Sequence, residues 1–338
     1  MAGITEYLEI LLAGQDLDFG QAKSLLDTVF QGDAAEAQVA AFLTAMRIKT
    51  PVANELAGFA RSLRDHAVAV NAEVDNLVDT CGTGGASYKT FNISTAAAIV
   101  AAGAGVYIAK HGNRAITSNC GSADVLAALG VNIDPGPELV AECISRAHIG
   151  FMFAPKFHPA MKYVQPIRKS LGFRTVFNIL GPLANPAGAS AQVLGAADEK
   201  LMPLIAETLN ILGVKRAMVV HSEGLDEIST MGKTKILHLK DGRITADELN
   251  PIDCDIAPAS FDSLKGGDAE TNAGIIRDII CGDETGAGKD IVLLNAAASI
   301  IVAGLADDFK TAIDLAEEAI KQGGAKEALD KMIEISNS

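Results

Sequence analysis

The stretch from Asp79 to Asp124, DTCGTGGASYKTFNISTAAAIVAAGAGVYIAKHGNRAITSNCGSAD, concentrates the residues fit for chemistry. It holds two glycine-punctuated turns, each beside an apolar run. In CGTGGA, residues 81–86, Gly82, Gly84 and Gly85 let the backbone turn tightly and bring its N–H groups against an anion. Thr83, Ser87 and Thr90 add hydroxyls. Asn92, Ser94 and Thr95 stand where the next helix begins, so its free N–H groups and its dipole favour a phosphate there. The bland alternative is an ordinary strand–turn–helix junction capped by Asn92 or Ser94. In KHGNR, residues 110–114, Lys110 and Arg114 supply charge, Asn113 an amide and Gly112 backbone access; Thr117, Ser118 and Ser122 follow. Two such turns after consecutive strands lie side by side at the carboxyl edge of a sheet, where α/β sheets bind ligands. Side chains able to do covalent chemistry are scarce, and neither a Ser–His–Asp order nor HExxH occurs. The makeup is that of a site that holds phosphates and drives a transfer by positioning and charge.

Three further segments bear on that site. Asp226 and Glu227 follow the strand-like run Ala217–Val220 and the loop HSEG. Adjacent carboxylates in such a loop suit a hard cation such as Mg²⁺, which takes few protein carboxylates and keeps water and substrate phosphates; alone, the pair also reads as an acidic loop in an acidic protein. Between Pro155 and Pro186 lie Pro159, Pro166 and Pro182, with Lys156, Lys162, Arg168, Lys169 and Arg174 among them. A chain crossing between domains, or a proline-broken surface loop, has this composition. GDETGAGKD at 282–290 imitates a P-loop, but Asp283 stands where its first glycine belongs and Asp290 replaces the Ser/Thr.

The elements that must position these residues fall into two groups. Residues 1–70 read as helices: Ile4, Leu8 and Leu11 share a face, Phe19, Ala22, Leu25, Leu26 and Phe30 repeat the spacing, and so do Val39, Phe42, Leu43 and Met46. After Val70 short apolar runs (77–78, 106–109, 151–153 and 217–220) alternate with helical patterns at 94–104, 122–129, 138–147, 203–212, 272–280, 291–305 and 309–322. That alternation implies a mostly parallel sheet covered on both faces. The expected fold is therefore α/β, a small all-α N-terminal domain over residues 1–70 and a large α/β domain with a mostly parallel central sheet.

Bulk composition narrows the function classes. The 338 residues carry a formal charge of −14 and no Lys/Arg run, so the basic footprint that nucleic-acid binding demands is missing. Aromatics make up 5% and Trp is absent against 49% hydrophobic residues, so the core rests on Ala, Leu, Ile and Val. Five cysteines without a CxxC fit a reducing cytosol. The N-terminus MAGITEYLEI has no basic n-region or cleavable apolar segment, and a cytoplasmic location follows. The run from Ile291 to Ala306, interrupted by Asn295 and Ser299, is too short to span a bilayer and reads as a buried core helix; no membrane partner is expected.

Together DTCGTGG, FNIST, KHGNRAITSNCGSADVLAALG, FAPKFHPAMKYVQPIRKSLGFRTVFNILGPLANP and HSEGLDEIST resemble the anthranilate phosphoribosyltransferase family, over nearly the whole chain. The resemblance implies a nucleoside phosphorylase/phosphoribosyltransferase-like fold in which about 167–190 return to the helical domain, leaving 71–166 and 191–338 as the α/β domain. It implies a homodimer through the small domains, anthranilate and Mg²⁺-bound 5-phosphoribosyl-1-pyrophosphate as substrates, and a place in tryptophan biosynthesis. By motif, Gly82, Gly85, Ala86, Thr90, Asn92, Ser94, Thr95, Lys110, His111, Gly112, Asn113, Arg114, Thr117, Ser118 and Ser122 would hold the phosphoribosyl donor. Gly82, His111, Asn113, His158 and Arg168 would bind or line anthranilate, Ser94, Asp226 and Glu227 would serve magnesium, and Lys110 and Arg168 would act in catalysis. Many members carry Asp after GTGG; here it is Ala86, which leaves more of the metal site to Asp226 and Glu227. Pyrimidine nucleoside phosphorylases share the resemblance in fold, and the ordered KHGNR, PIRKSLGFRT and GLDEIS set favours the transferase.

Overall fold

The computed structural model of the chain describes residues 3–115 and 119–338; Thr117 and Ser118, expected in the second turn, lie outside them. Four helices come first: α1 (Ile4–Leu12), α2 (Phe19–Gln31), α3 (Glu36–Lys49) and α4 (Ala53–Asp65). The ends of α2 show why the chain breaks where it does. The Gln21 N–H donates to Asp18 at 2.8 Å and the Gln21 side chain accepts from the Asp18 N–H at 3.0 Å, a capping box; Gly32 ends the helix in the left-handed conformation.

The rest alternates strands and helices: β1 (Val78–Gly82), α5 (Ile93–Gly103), β2 (Ile108–Gly112), α6 (Ser122–Ala128), α7 (Pro137–Ala147), β3 (Ile149–Phe153), α8 (Ala154–Phe157), α9 (Gln165–Leu171), α10 (Phe177–Leu183), β4 (Ala191–Gly195), α11 (Met202–Ile211) and β5 (Arg216–Ser222). The hairpin β6 (Thr234–Lys240) and β7 (Arg243–Leu249) precedes α12 (Ala269–Cys281), α13 (Ala287–Ala303), α14 (Phe309–Lys321) and α15 (Gly324–Ser336). The sheet order is β3-β2-β1-β4-β5-β6-β7, parallel through β5 and antiparallel in the last two pairings. The mostly parallel sheet is thus as expected, with an antiparallel edge.

Alternation along β5 shows how the two faces are covered. Met218 and Val220 pack with α5 and α12–α15, whereas Ala217 and Val219 pack with α11 and the N-terminal helices. The second cluster includes Ile167, Val176, Phe177, Leu180 and Leu183, so the proline-rich segment buries its apolar side chains with α1–α4. Among the described residues no helix is long and apolar enough to cross a membrane.

Strand boundaries differ from the sequence reading in one way that matters. The strand expected at 106–109 lies at Ile108–Gly112, so Lys110, His111 and Gly112 belong to β2 rather than to the turn after it. Pairing with β3 continues from Ile108↔Ile149 to Gly112↔Phe153, and a partner strand holds polar residues in the ladder as firmly as apolar ones. Cys81 and Gly82 are likewise in β1, paired with Leu194 and Gly195.

Candidate active site

The carboxyl ends of β1 and β4 are neighbours, with Gly82 level with Gly195. The loop after β5 folds back over them through a tight turn in which Ser222 and Leu225 exchange backbone hydrogen bonds at 3.3 and 3.1 Å. It delivers Asp226 onto both strand ends. A Cβ on Gly195 would overlap the Asp226 carbonyl, and one on Gly82 its carboxylate, so both glycines serve a close approach. The Gly84 N–H donates to Asp226 Oδ2 at 3.0 Å. A backbone N–H able to cradle an anion therefore rests here on the carboxylate.

The first turn is tied down from several sides. Its Thr83 N–H donates to the Gly195 carbonyl at 2.8 Å, and its hydroxyl accepts from Ala197 N–H at 3.0 Å. The Tyr88 N–H donates to the Gly224 carbonyl at 3.1 Å. Lys89 Nζ donates to the carbonyl of half-buried Ala86 at 3.1 Å. Thr90 bridges antiparallel to Lys265. Arg174 Nη2 donates to the Gly84 carbonyl at 3.0 Å, and its guanidinium covers Gly85, whose φ of +87° suits glycine.

Beneath the turn, Glu227, Ser94, Thr80 and Asn295 line one small cavity. Burial, reinforced by the like charge of Asp226, pushes the Glu227 carboxyl up to about 8, against the pull of Lys110 and the Ser94 backbone. Burial also raises Asp226, and the Gly84 N–H opposes it. Two crowded carboxylates disfavouring their own charge fit a divalent cation, which would restore the ionised form. Among the described residues no group of three or more His, Cys, Asp or Glu could enclose a metal ion. A pair completed by water and substrate oxygens is the usual protein share for Mg²⁺.

Lys110 is only 2% exposed, and its Nζ donates to the Thr80 carbonyl at 2.8 Å. Burial lowers its pKa, while Asp79, Cys81 and Glu227 favour the cation. It sits within the sheet on β2 and reaches sideways to β1, not on an open rim. Ser94 and Thr95 open α5; Thr95 is buried and its hydroxyl has no hydrogen-bond partner among the described residues. Asn92, just before α5, joins both turns to a third element: its Nδ2 donates to the Cys120 carbonyl at 3.2 Å and its Oδ1 accepts from Asn272 Nδ2 at 2.9 Å.

The second turn is organised by Asp124, which the sequence reading did not single out. Its Oδ2 accepts from the N–H groups of Ala115 and Gly121, each at 2.9 Å, and Arg114 pairs with its Oδ1 at 3.0 Å. Burial raises its pKa, and those hydrogen bonds outweigh it to hold the carboxyl below its ordinary range. Arg114 is thus spoken for in this structure, and Asn113 Oδ1 accepts from the Arg114 N–H at 2.8 Å. Ser122 Oγ donates to the Asn113 carbonyl at 3.4 Å and occupies the space a side chain at Gly112 would need.

The expected acceptor-side residues form two groups. The rings of His111 and His158 lie 5.0 Å apart, with the backbone of Leu63 and Ala184 against His158 and that of Gly181 against His111. Burial and mutual repulsion push His111 down to about 3, and burial pushes His158 to about 4, so both are neutral imidazoles at pH 7. Arg168, on α9, stacks 5.4 Å over the Phe177 ring and reaches Gln165 Oε1 at 3.3 Å and Asn178 Oδ1 at 3.5 Å. Its described hydrogen bonds reach neither histidine, Asn113 nor Gly82. Asn178 also accepts from the Thr175 N–H at 3.1 Å, so Arg168 connects through Asn178 and Thr175 to Arg174 and the first turn. Arg174 counted in the sequence only as one charge of a basic patch; the neighbouring glycine turn gave no sign that it would be the partner.

The arrangement offers backbone donors, a carboxylate pair and guanidinium groups around two turns, and burial pushes the Cys81 thiol well above its ordinary range, away from the nucleophilic thiolate. Two family descriptions match the chain: the helical bundle domain of a glycosyl transferase family over residues 5–67 and the a/b domain of that family over 74–326. It is 50% identical over 328 residues to the anthranilate phosphoribosyltransferase of Haloarcula marismortui, covering 97% of this chain and 99% of that one. The crystal structure of the Thermus thermophilus enzyme of that name is similar with a TM-score of 0.93 at 38% identity, covering 98% of this chain and 99% of that one. The Saccharomyces cerevisiae enzyme in complex with PRPP and Mg is similar with a TM-score of 0.89 at 29% identity over 99% of this chain and 98% of that one. With family descriptions over both parts of the chain and half of its residues shared with a full-length relative, the chain belongs to the anthranilate phosphoribosyltransferase family.

Proposed function

We propose that this enzyme transfers the phosphoribosyl group of 5-phosphoribosyl-1-pyrophosphate to the amine of anthranilate, giving N-(5-phosphoribosyl)anthranilate and pyrophosphate, with Mg²⁺ bound at Asp226 and Glu227. The observation that carries the site assignment is Asp226 lying across the ends of β1 and β4 and bonded to Gly84, which joins a cation site to the first glycine turn. Gly82, Gly85, Ala86, Thr90, Asn92, Ser94 and Thr95 form the donor wall from one turn. Lys110, His111, Gly112, Asn113, Arg114 and Ser122 continue it from the other, with Thr117 and Ser118 expected beside them. Gly82, His111, Asn113, His158 and Arg168 receive anthranilate.

In the reaction the anthranilate nitrogen forms a bond to ribose C1 while the C1–oxygen bond to pyrophosphate breaks with its electron pair; the positively charged nitrogen then releases one of its two protons to water or to the departing pyrophosphate. The aniline nitrogen is already unprotonated at neutral pH, so no strong base is required before attack, and the neutral state of His111 and His158 suits a lining role. Mg²⁺ held by Asp226 and Glu227, with Ser94 beside them, would supply positive charge to the departing pyrophosphate. Lys110 adds positive charge from within the sheet. Arg168 offers a planar guanidinium for the acceptor's carboxylate. Its chain of contacts to Arg174 ties the segment 167–190 to the first turn, and a closing of that segment and the N-terminal helices over the rest would bring the acceptor to the donor and exclude water. We assign the dimer contact to the helical domain and the working location to the cytoplasm.

The test uses anthranilate fluorescence. It should fall only when the phosphoribosyl donor and Mg²⁺ are both added. Phosphorolysis of uridine or thymidine with unchanged anthranilate signal would refute the assignment.

A further inference from the structure

The apolar helix α13 is interrupted by Asn295, which is only 4% exposed. Burying an amide in such a helix is costly unless all its hydrogen-bonding groups are met. Here they are met chiefly by one residue outside the helix. Asn295 Oδ1 accepts from the Ile228 N–H at 2.9 Å, and its Nδ2 donates to the Ile228 carbonyl at 2.8 Å and to the Ile291 carbonyl at 2.8 Å. The Asn amide therefore meets both backbone polar groups of the residue that follows Glu227.

The segment 226–229 lies in neither helix nor strand, so side chains must satisfy its backbone. The Ser222 hydroxyl donates to the Glu227 carbonyl at 3.0 Å, and the Ser229 N–H donates to Thr234 Oγ1 at 3.0 Å. Asn295 holds the residue between them from both of its polar sides, and it lines the same cavity as Glu227 and Ser94. The sole function of a core amide would be met by any buried partner. This one is spent on the peptide that sets where the Glu227 carboxylate stands.

We propose that Asn295 is a positioning residue for the cation carboxylates: its two-sided grip on Ile228 fixes Glu227 for the divalent ion. The inference rests on the magnesium assignment of Asp226 and Glu227. A carboxylate displaced by about 1 Å loses much of its value to an ion demanding near-ideal geometry at about 2.0–2.1 Å.

The experiment is calorimetric titration of the folded full-length chain with Mg²⁺ in the presence of 5-phosphoribosyl-1-pyrophosphate, beside initial rates. Asn295→Ser should raise the Mg²⁺ concentration for half-saturation at least tenfold while leaving KM for anthranilate within twofold. Glu227→Gln is titrated alongside. If Glu227→Gln abolishes the Mg²⁺ response and Asn295→Ser does not shift it, the positioning role is overturned while the metal site stands. If Glu227→Gln leaves the response intact, the metal assignment itself has failed and the inference falls with it. Leu43→Ala, in the helical layer remote from the loop, controls for lost stability; an equal shift there would reduce Asn295 to a structural amide and overturn the role. Should Asn295→Ser not fold, Asn295→Asp keeps the acceptor for Ile228 N–H, removes both donors, and is read by the same criteria.

Discussion

Arg174 Nη2 donates to the Gly84 carbonyl at 3.0 Å, and this hydrogen bond joins the segment after α9 to the first glycine turn. On one side of Gly84 its N–H rests on Asp226, and on the other its carbonyl is held by Arg174, so a single residue meets the candidate cation site and the acceptor-side segment together.

Replacing Gly85 by Ala tests that junction. The new methyl group would overlap the Arg174 guanidinium, and a non-glycine residue in the left-handed region costs about 1–2 kcal/mol. KM for the phosphoribosyl donor should rise roughly tenfold, and Arg174→Ala should relieve part of the defect when the two changes are combined. Additive losses in steady-state kinetics of the double variant would contradict the contact.

Arg168→Ala removes the guanidinium assigned to the anthranilate carboxylate. Charge-assisted hydrogen bonds are worth about 1.5–3 kcal/mol, so KM for anthranilate should rise roughly ten- to a hundredfold, with KM for the sugar donor changed little. Equal effects on both substrates would remove Arg168 from the acceptor site.

Protonation at Glu227 makes the metal site pH-dependent. Its carboxyl is held at about 8, above its ordinary value near 4.5, so without a cation the folded chain keeps a proton that the unfolded chain has lost. Metal-free stability should therefore fall as pH rises from about 4.5 to about 8, and Mg²⁺ affinity should rise over the same range because binding displaces that proton. Denaturation midpoints with and without Mg²⁺, and proton release by calorimetry in two buffers, measure both. A pH-independent Mg²⁺ affinity between 6 and 8 would contradict it.

The histidines titrate in the opposite sense. His111 at about 3 and His158 at about 4 lie below the ordinary value near 6.5, so folding favours their neutral forms. Their contribution to stability is present above about pH 6.5 and is lost as pH falls toward 4. NMR of the ring protons should show no titration of either residue between pH 5.5 and 8. A midpoint inside that window would mean that water or charge reaches the pair.

These contacts also mark where residue patterns stop being informative. The two glycine turns, the Asp226-Glu227 pair and the mostly parallel sheet were legible because each leaves a local signature: glycine spacing, adjacent carboxylates, apolar runs alternating with helical periods. β4 was not, because Ala191–Gly195 is five residues buried on both faces and lacks the period-two alternation of a half-exposed strand. The antiparallel hairpin of β6 and β7 leaves no such signature, because its polar edge strand resembles a loop in composition. Lys110 lies within β2 and not after it because strand pairing, not hydrophobicity, decides where that strand ends. The bond from the Gly121 N–H to Asp124 follows the three-residue spacing of a helix N-terminus, but the bonds of Asp124 to Ala115 and of Asn295 to Ile228 join groups that no spacing rule pairs.

The most direct test of the account is a magnesium titration of anthranilate consumption, followed by fluorescence, with the wild-type chain and the Asp226→Asn, Glu227→Gln double variant. The account expects a saturable Mg²⁺ requirement in the wild type and loss of most Mg²⁺-dependent turnover in the folded double variant. Wild-type rates and an unaltered Mg²⁺ midpoint in that variant would contradict it.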